Sequence, residues 1–307
     1  MNRWYVADSL LLLVAFIWGA TFVIIQNAVT VLEPFTFNGF RFLCAALFLL
    51  GWMVCFHRRQ LKKINRSLLV SGVIMGSWLF CGYALQTFGL LYTTSSKAGF
   101  LTGLNVVLVP LLAFWVLKQK PKKFAVVGVM IAAGGLYMLT AGSQAAVNIG
   151  DLLEFLCAIG FAMQIVFTGK YASFFPALVL TLVQISTVAV LNLIAAFLFE
   201  NWTRAFSAEV VGGTGVWGAI FFTSLFATVL AYLAQTAFQK NTAPTHVALI
   251  FTMEPVFAAL TAYIWAGERL GTMALIGCLL IFAGMILSEL PGKRLTRFKR
   301  SKPTISE

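Results

Sequence analysis

A carboxylate and a proline stand side by side inside a long apolar stretch, IFTMEPVFAAL at positions 250–260, as Glu254 and Pro255. A bare carboxylate near the centre of a bilayer costs at least about 2.5 kcal/mol, so Glu254 must be protonated, paired or in contact with a wet cavity. A carboxyl group in such a cavity is suited to binding and releasing a proton. The alternative is a structural acid that hydrogen-bonds across a helix bundle.

Two further charges lie inside apolar stretches. Arg41 lies roughly 10 Å beyond Pro34, taking about 1.5 Å of rise per residue, and Glu154 enters its own stretch to a comparable depth. A buried ion pair between Arg41 and Glu154 would neutralise both charges, and we favour this interpretation from sequence. Contact of Arg41 with an anionic solute is the alternative.

A short polar motif, YxxQT, occurs twice in the chain, 149 positions apart. Tyr83 and Gln86 belong to the first copy, and Tyr232 and Gln235 belong to the second. Phenols and amides at equivalent places indicate either a cavity that orients a polar solute or hydrogen bonds between helices. We favour the cavity, because the motif is repeated.

Three more side chains are candidates for the same cavity. Asn105 falls on Glu254 when the chain is shifted by 149 positions, which predicts a polar group at the midplane in both halves of the chain. Trp18 and Trp78 are aromatic candidates for the wall, although large aromatic side chains in apolar stretches more often serve packing.

The elements that must position these residues are membrane-spanning helices. The chain has 307 residues, of which 60% are hydrophobic and 10% charged, and its mean hydropathy is +0.91. Lipid is therefore the expected environment, in which a helix needs about 20 apolar residues to cross. The apolar runs are continuous rather than alternating, which favours α-helices over a β-barrel. Ten spans are predicted, at 8–27, 34–56, 68–90, 97–117, 124–141, 149–169, 177–199, 215–237, 244–265 and 272–290.

Basic residues predict the orientation, because Lys and Arg are retained on the cytoplasmic side of a membrane. Most of the 22 basic residues fall in alternate loops and in the tail KRLTRFKRSK, which predicts a cell-membrane protein with both termini in the cytoplasm. A net charge of +12 alone would also suit nucleic acid. Because the basic clusters adjoin the spans, membrane lipid is the expected partner, and no nucleic acid is expected.

The chain resembles itself at an offset of 149, where residues 83–136 lie over 232–285 without a gap. Two repeats of five helices are predicted, at 1–145 and 146–292, followed by a basic tail at 293–307. Because five is an odd number, the second repeat must be inverted relative to the first, as in many secondary transporters.

Prolines occur in corresponding spans of the two predicted repeats, Pro110 in the fourth span and Pro255 in the ninth. Each removes a backbone N–H and should bend or break its helix. Paired interruptions in an inverted repeat indicate a binding site near the midplane.

Motifs for other chemistry are missing from the sequence. It contains no GxxxxGK[ST], GxSxG or HExxH pattern. Its two histidines and five singly placed cysteines suit neither a metal site nor a disulfide framework. We therefore expect no catalytic residue, no metal and no cofactor.

Four stretches resemble the EamA-type exporters of the drug/metabolite transporter superfamily. The most specific is MEPVFAALTAYIWAGERL (253–270), which resembles the ninth span of that family. The chain also resembles the first span of the family at AFIWGATFV (15–23), the second at PFTFNGFRF (34–42) and the fourth at SSKAGFLTGLNVVLVPLL (95–112). The resemblance covers about residues 8–290. It implies ten helices around a central cavity and the movement, often outward, of amino acids, other metabolites or drugs.

Two departures from the family pattern weaken any mechanism that needs symmetric roles in the two halves. The turn after the fourth span reads LKQKPKK, where the family often has Gly-Glu, and Gln184 stands near the place that corresponds to Arg41.

The sequence therefore predicts an all-α integral membrane protein, not an enzyme. We expect a secondary transporter that exports a small organic solute by alternating access, with protons as the candidate coupling ion. The alternatives are an importer, an uncoupled facilitator, and a membrane sensor or scaffold that moves nothing. The sequence does not define the oligomeric state.

Overall fold

The computed structural model describes residues 3–121, 123–140, 148–213, 215–240, 242–265 and 271–289. All regular secondary structure within these ranges is helical. The α-helices in them are α1 (Arg3–Val29), α2 (Pro34–Phe56), α3 (Arg58–Leu61), α4 (Arg66–Gly89), α5 (Ser95–Gly103), α6 (Asn105–Leu117), α7 (Lys123–Thr140), α8 (Ile149–Tyr171), α9 (Ala177–Phe199), α10 (Ala208–Gly213), α11 (Val216–Phe222), α12 (Ala231–Gln239), α13 (Pro244–Phe251), α14 (Met253–Trp265) and α15 (Thr272–Glu289). A 3₁₀-helix (Trp202–Phe206) precedes α10, and a π-helix (Thr223–Leu230) joins α11 to α12.

Eight helical stretches of the described residues are long and apolar enough to cross a membrane. They coincide with the first four predicted spans and with the sixth to ninth. The fifth and tenth predicted spans coincide with shorter apolar stretches, Lys123–Met138 and Leu275–Leu287. The chain is therefore a multi-pass membrane protein, while a total of ten crossings stays a prediction.

Two of the spans are interrupted in the middle. The fourth is divided into α5 and α6 at Leu104, and the ninth into α13 and α14 at Thr252. Pro255 lies in the first turn of α14, where a helix tolerates the missing N–H. Pro110, in contrast, lies inside α6, six residues beyond the interruption. Because its ring disturbs the carbonyl of Val106 in the first turn of α6, the predicted break is displaced from Pro110 to Leu104.

The two interrupted spans pack against each other next to these breaks. A Cβ atom on Gly103 of α5 would lie 3.0 Å from Cγ of Pro255, and one on Gly99 would lie 3.6 Å from its Cα. The absence of a side chain at Gly103 thus lets α5 approach the start of α14, which carries Glu254, whereas Gly99 has room for a Cβ atom.

Helices α7 and α15 approach each other closely through two pairs of glycines. A Cβ atom at Gly135 would lie 2.7 Å from the carbonyl oxygen of Gly277, and one at Gly284 would lie 2.6 Å from that of Gly128. The two contacts are equivalent under the 149-position offset, because 128 corresponds to 277 and 135 to 284.

Gly135→Ala should lower the free energy of unfolding by about 1–3 kcal/mol, because the added methyl group would overpack this contact. Gly134→Ala is the matched control, since a Cβ atom there meets nothing within 4 Å. Alanine in place of Gly134 should stabilise the helix by roughly 0.5–1 kcal/mol. Thermal unfolding of the two purified variants in detergent measures the difference. Equal unfolding midpoints would contradict close packing of α7 on α15.

Candidate functional site

A cavity with an empty volume of about 520 Å³ lies among the helices. Its wall is formed by α1, α2, α4, α5 and α6 from the first half of the chain and by α8, α12, α13 and α14 from the second. This volume includes space that is open to the surroundings of the protein.

Most of the predicted site residues lie on the wall of this cavity. They are Trp18, Arg41, Tyr83, Gln86, Asn105, Tyr232, Gln235 and Glu254. Trp78, Glu154, Pro110 and Pro255 do not line it. Trp78 is half-buried where α4 meets α8, with its carbonyl oxygen beside Gly160.

The two tyrosines of the YxxQT motifs contact each other. The Tyr232 hydroxyl donates to the Tyr83 hydroxyl over 2.9 Å, so the bond joins residues 149 positions apart. Both side chains are buried, and Tyr232 also packs against Trp18, with ring centroids 5.3 Å apart. Repeat-related side chains that meet in this way are expected near an axis that relates the two halves.

The two glutamines of the motifs make different contacts. Gln235 and Gln164 form a reciprocal amide pair, with N–O distances of 3.1 and 3.5 Å. Gln86 instead donates to the hydroxyl of Thr102 over 3.2 Å. The cavity wall is thus polar on both sides, but the two sides are chemically unlike.

Arg41 is fully buried and donates to acceptors on both halves of the chain. Its Nε donates to Oγ1 of Thr228 over 3.0 Å, and its Nη2 contacts the Ala227 carbonyl and the Tyr83 hydroxyl at 3.5 and 3.4 Å. Its guanidinium lies 4.8 Å from the centre of the Tyr83 ring, which adds a cation–π contact. Arg41 Nη1 has no partner.

The π-helix makes the Ala227 carbonyl available to these donors. In a regular α-helix this oxygen would accept from the N–H of Ala231. Here the N–H of Ala231 donates to the backbone carbonyl of Thr228 instead. The indole N–H of Trp18 also donates to the Ala227 carbonyl, over 2.8 Å. Sequence reasoning missed this segment, because TSLFATVL carries no proline or other signal for a change of helical register.

Glu254 lies on the cavity wall with only 8% of its surface exposed. Among the described residues, none donates a hydrogen bond to its carboxylate or forms an ion pair with it. Asn105, on the neighbouring wall, has an unpartnered Oδ1. Arg41 Nη1 and Asn105 Oδ1 are thus buried polar atoms without hydrogen-bond partners, on residues that line the cavity together with Glu254.

The predicted ion pair between Arg41 and Glu154 is not formed. Glu154 accepts from the Thr102 hydroxyl at 3.1 Å and from the Cys157 thiol at 3.3 Å, and its other oxygen has no partner. The two residues lie at similar depth, but Arg41 points toward the π-helix whereas Glu154 points toward α5. Depth in the membrane does not determine the direction of a side chain around its helix.

Sequence reasoning also missed several wall residues, among them Thr102, Gln164 and Phe251. Gln164 was detectable as an amide inside an apolar span. Thr102 and Phe251 gave no signal, because threonine and phenylalanine are ordinary residues of membrane helices.

An all-helical membrane protein with a polar cavity between two halves is the class that this geometry defines. The EamA-like transporter family matches the chain twice, at residues 6–141 and 148–290. A protein of Archaeoglobus fulgidus named as an uncharacterized transporter is 34% identical over 284 residues, which cover 92% of this chain and 86% of that protein. The chain belongs to the EamA-like transporter family, which confirms the resemblance seen in the motifs.

Two further comparisons agree. The uncharacterized transporter YyaM of Bacillus subtilis is 28% identical over 280 residues, which cover 88% of this chain and 89% of that protein. A solved crystal structure superimposes with a TM-score of 0.75 at 18% identity, covering 92% of this chain and 96% of the other, and it has the same fold.

Proposed function

We propose that the chain is a secondary transporter that exports a small organic solute through the central cavity by alternating access. The observation that carries the proposal is the cavity itself. Both halves of the chain line it, and Glu254, Asn105 and Arg41 bring unpartnered polar atoms to its wall. Polar groups without partners are costly in a membrane interior, so their presence there indicates a function.

The architecture that we propose is a pair of inverted five-helix repeats, at 1–145 and 146–292, with ten membrane crossings in total and a basic tail at 293–307. Four contacts support it. The Tyr83–Tyr232 bond joins positions 149 apart, and the two glycine contacts of α7 with α15 are exchanged with each other by the same offset. In addition, α5 and α6 pack against α8 as α13 and α14 pack against α1, and α4 packs against α8 as α12 packs against α1.

Two polar contacts at the ends of the helices support alternating access. Lys97, at the start of α5, pairs with Asp151 of α8 at 2.6 Å, and His246, at the start of α13, contacts Asp8 of α1 at 3.1 Å. Lys97 and His246 are again 149 positions apart. In the proposed topology they lie on opposite sides of the membrane, so each contact would open when its own side opens.

The orientation that we propose places both termini in the cytoplasm of a cell-membrane protein. The support is the placement of basic residues in alternate loops, as the positive-inside rule requires. The proposed coupling ion is the proton, and the proposed coupling group is Glu254, because its carboxylate faces the cavity without a partner.

The experiment that tests export is a metabolite profile of cells and medium. Cells with the wild-type chain are compared with cells that carry Glu254→Gln at equal abundance in the membrane. Export predicts one class of solute that accumulates in the medium to a higher level with the wild type than with Glu254→Gln, because the variant should only equilibrate it. Accumulation inside the cells would instead indicate import, and an unchanged profile would favour a sensor or scaffold that moves nothing.

A further inference from the structure

A second carboxyl group is enclosed behind the cavity wall. Glu154 of α8 has no exposed surface and does not line the cavity. Gly89 of α4 provides the space for it, because a Cβ atom there would lie 2.8 Å from both Cγ and Oε1 of Glu154. The proposed transport mechanism does not use this group.

The surroundings of Glu154 contain donors but no free cation. Its Oε2 accepts from Thr102 and Cys157, and its Oε1 is buried without a partner. A carboxylate enclosed in this way is strongly disfavoured unless a cation pairs with it. The carboxyl group of Glu154 therefore carries a proton while it is enclosed in this way.

The charged and titratable groups around Glu154 are few. Asp151 and Cys157 lie on its own helix, and Glu254 faces it from α14 across the cavity. Lys97 of α5 is paired with Asp151 at 2.6 Å, so its charge is already neutralised. Helix α4 contributes only neutral groups, Gly89 and Gln86. No cation on these elements is available to pair with the Glu154 carboxylate in place of the proton.

Thr102 connects this enclosed acid to the cavity. Its hydroxyl contacts Glu154 at 3.1 Å, accepts from Gln86 at 3.2 Å and forms part of the cavity wall. A hydroxyl group both accepts and donates a proton. Among the described side chains, Thr102 is thus the one that hydrogen-bonds to Glu154 and also lines the cavity.

We propose that Glu154 is a second proton-binding site, which exchanges its proton with water in the cavity through the hydroxyl of Thr102. The transfer requires the carboxyl proton on Oε2, donated to the Thr102 hydroxyl, which reverses the direction of the hydrogen bond between the two groups in this structure. Thr102 then passes its own hydrogen to cavity water as it receives the proton of Glu154. The carboxylate left behind keeps two donors, Thr102 and Cys157. The use of this site in transport rests on the proposed function, whereas the binding of the proton does not.

Infrared difference spectroscopy of the purified protein in lipid nanodiscs tests the proposal without any solute. Protonated carboxyl groups give a separate carbonyl band, which is followed as the pH is raised and as H₂O is exchanged for D₂O. The wild type should show a band that disappears at high pH, and Glu154→Gln should remove the part of this band that remains in Glu254→Gln. Glu209→Gln is the control, and it should keep the whole band, because Glu209 is exposed on α10.

Thr102→Val tests the connection to the cavity. It keeps the carboxyl of Glu154 and removes the hydroxyl, so the band should remain while its deuterium exchange slows. Thr181→Val is the control, because the buried hydroxyl of Thr181 has no partner to lose. Size-exclusion chromatography excludes variants that do not fold, and Thr102→Val keeps the proposal testable if Glu154→Gln is among them.

Two results would overturn the proposal. One is a band that is unchanged in Glu154→Gln, which would mean that Glu154 carries no proton. The other is a band that neither titrates nor exchanges in the wild type, which would make Glu154 a structural acid. Either result leaves the export experiment unaffected, so the failure of this inference and the failure of the proposed function are distinguishable.

Discussion

Glu254→Gln should give a protein that folds, inserts and exchanges solute, but that no longer concentrates solute against its gradient when a pH difference is applied. Glutamine has nearly the shape of glutamic acid and cannot take up or release a proton. Because no described residue pairs with the Glu254 carboxylate, the substitution breaks no contact in the fold. The expected loss is therefore confined to coupling.

Liposomes that contain the purified protein separate coupling from binding. The solute is the one identified by the metabolite profile. The wild type should concentrate labelled solute across an imposed pH difference, whereas Glu254→Gln should only equilibrate it. Exchange of labelled for unlabelled solute without a pH difference should persist in both.

Glu209→Gln is the matched control for this experiment, because Glu209 is exposed on α10, far along the chain from the cavity residues. It should behave as the wild type does. If Glu254→Gln still concentrates solute with an unchanged response to pH, the proton assignment is wrong and Glu254 is structural. If exchange is lost as well, the carboxyl takes part in binding the solute.

The position of the cavity was predictable from the sequence because its wall is built from repeat-related polar residues. Tyr83 and Tyr232 stand out in apolar spans as parts of a motif that recurs 149 positions apart. They form a hydrogen bond of 2.9 Å. The same offset predicted a polar group at the midplane in both halves, at Asn105 and Glu254, and both residues line the cavity.

The partners of the buried charges were not predictable. A hydropathy pattern gives the depth of a residue in the membrane but not its direction around the helix axis. Arg41 and Glu154 share a depth, yet they contact Thr228 and Thr102 respectively. The π-helix that supplies the acceptors of Arg41 depends on packing between distant segments, which leaves no local trace in the sequence.

Helix boundaries were predicted to within a few residues where charged or proline residues end a span. The interruption in the fourth span was harder to predict from the sequence. Pro110 indicated a break, but the helix is interrupted at Leu104, between Gly103 and Asn105. The tertiary contact of Gly103 with Pro255, at 3.0 Å for an added Cβ atom, contributes to the position of the break.

Arg41→Lys is expected to have the second large effect. The guanidinium group bonds Thr228, the Ala227 carbonyl and Tyr83 at the same time, and its Nη1 remains free at the cavity. A lysine ammonium is a compact charge that cannot reproduce this planar fork. The substitution should lower the free energy of unfolding by about 1–3 kcal/mol, the equivalent of two or three hydrogen bonds.

Solute affinity distinguishes a binding role for Arg41 from a structural one. If Nη1 holds an anionic or polar group of the solute, Arg41→Lys should raise the KM for export about tenfold, because a hydrogen bond to a charged group contributes roughly 1.5–3 kcal/mol. Arg66→Lys is the control, since Arg66 is exposed at the start of α4 and should tolerate the same substitution. A lower unfolding temperature with an unchanged KM would show that Arg41 only fastens α2 to the π-helix. A raised KM would mean that Arg41, in the first half of the chain, binds the solute, while Glu254, in the second half, binds the proton. Solute binding and proton coupling would then be divided between the two repeats.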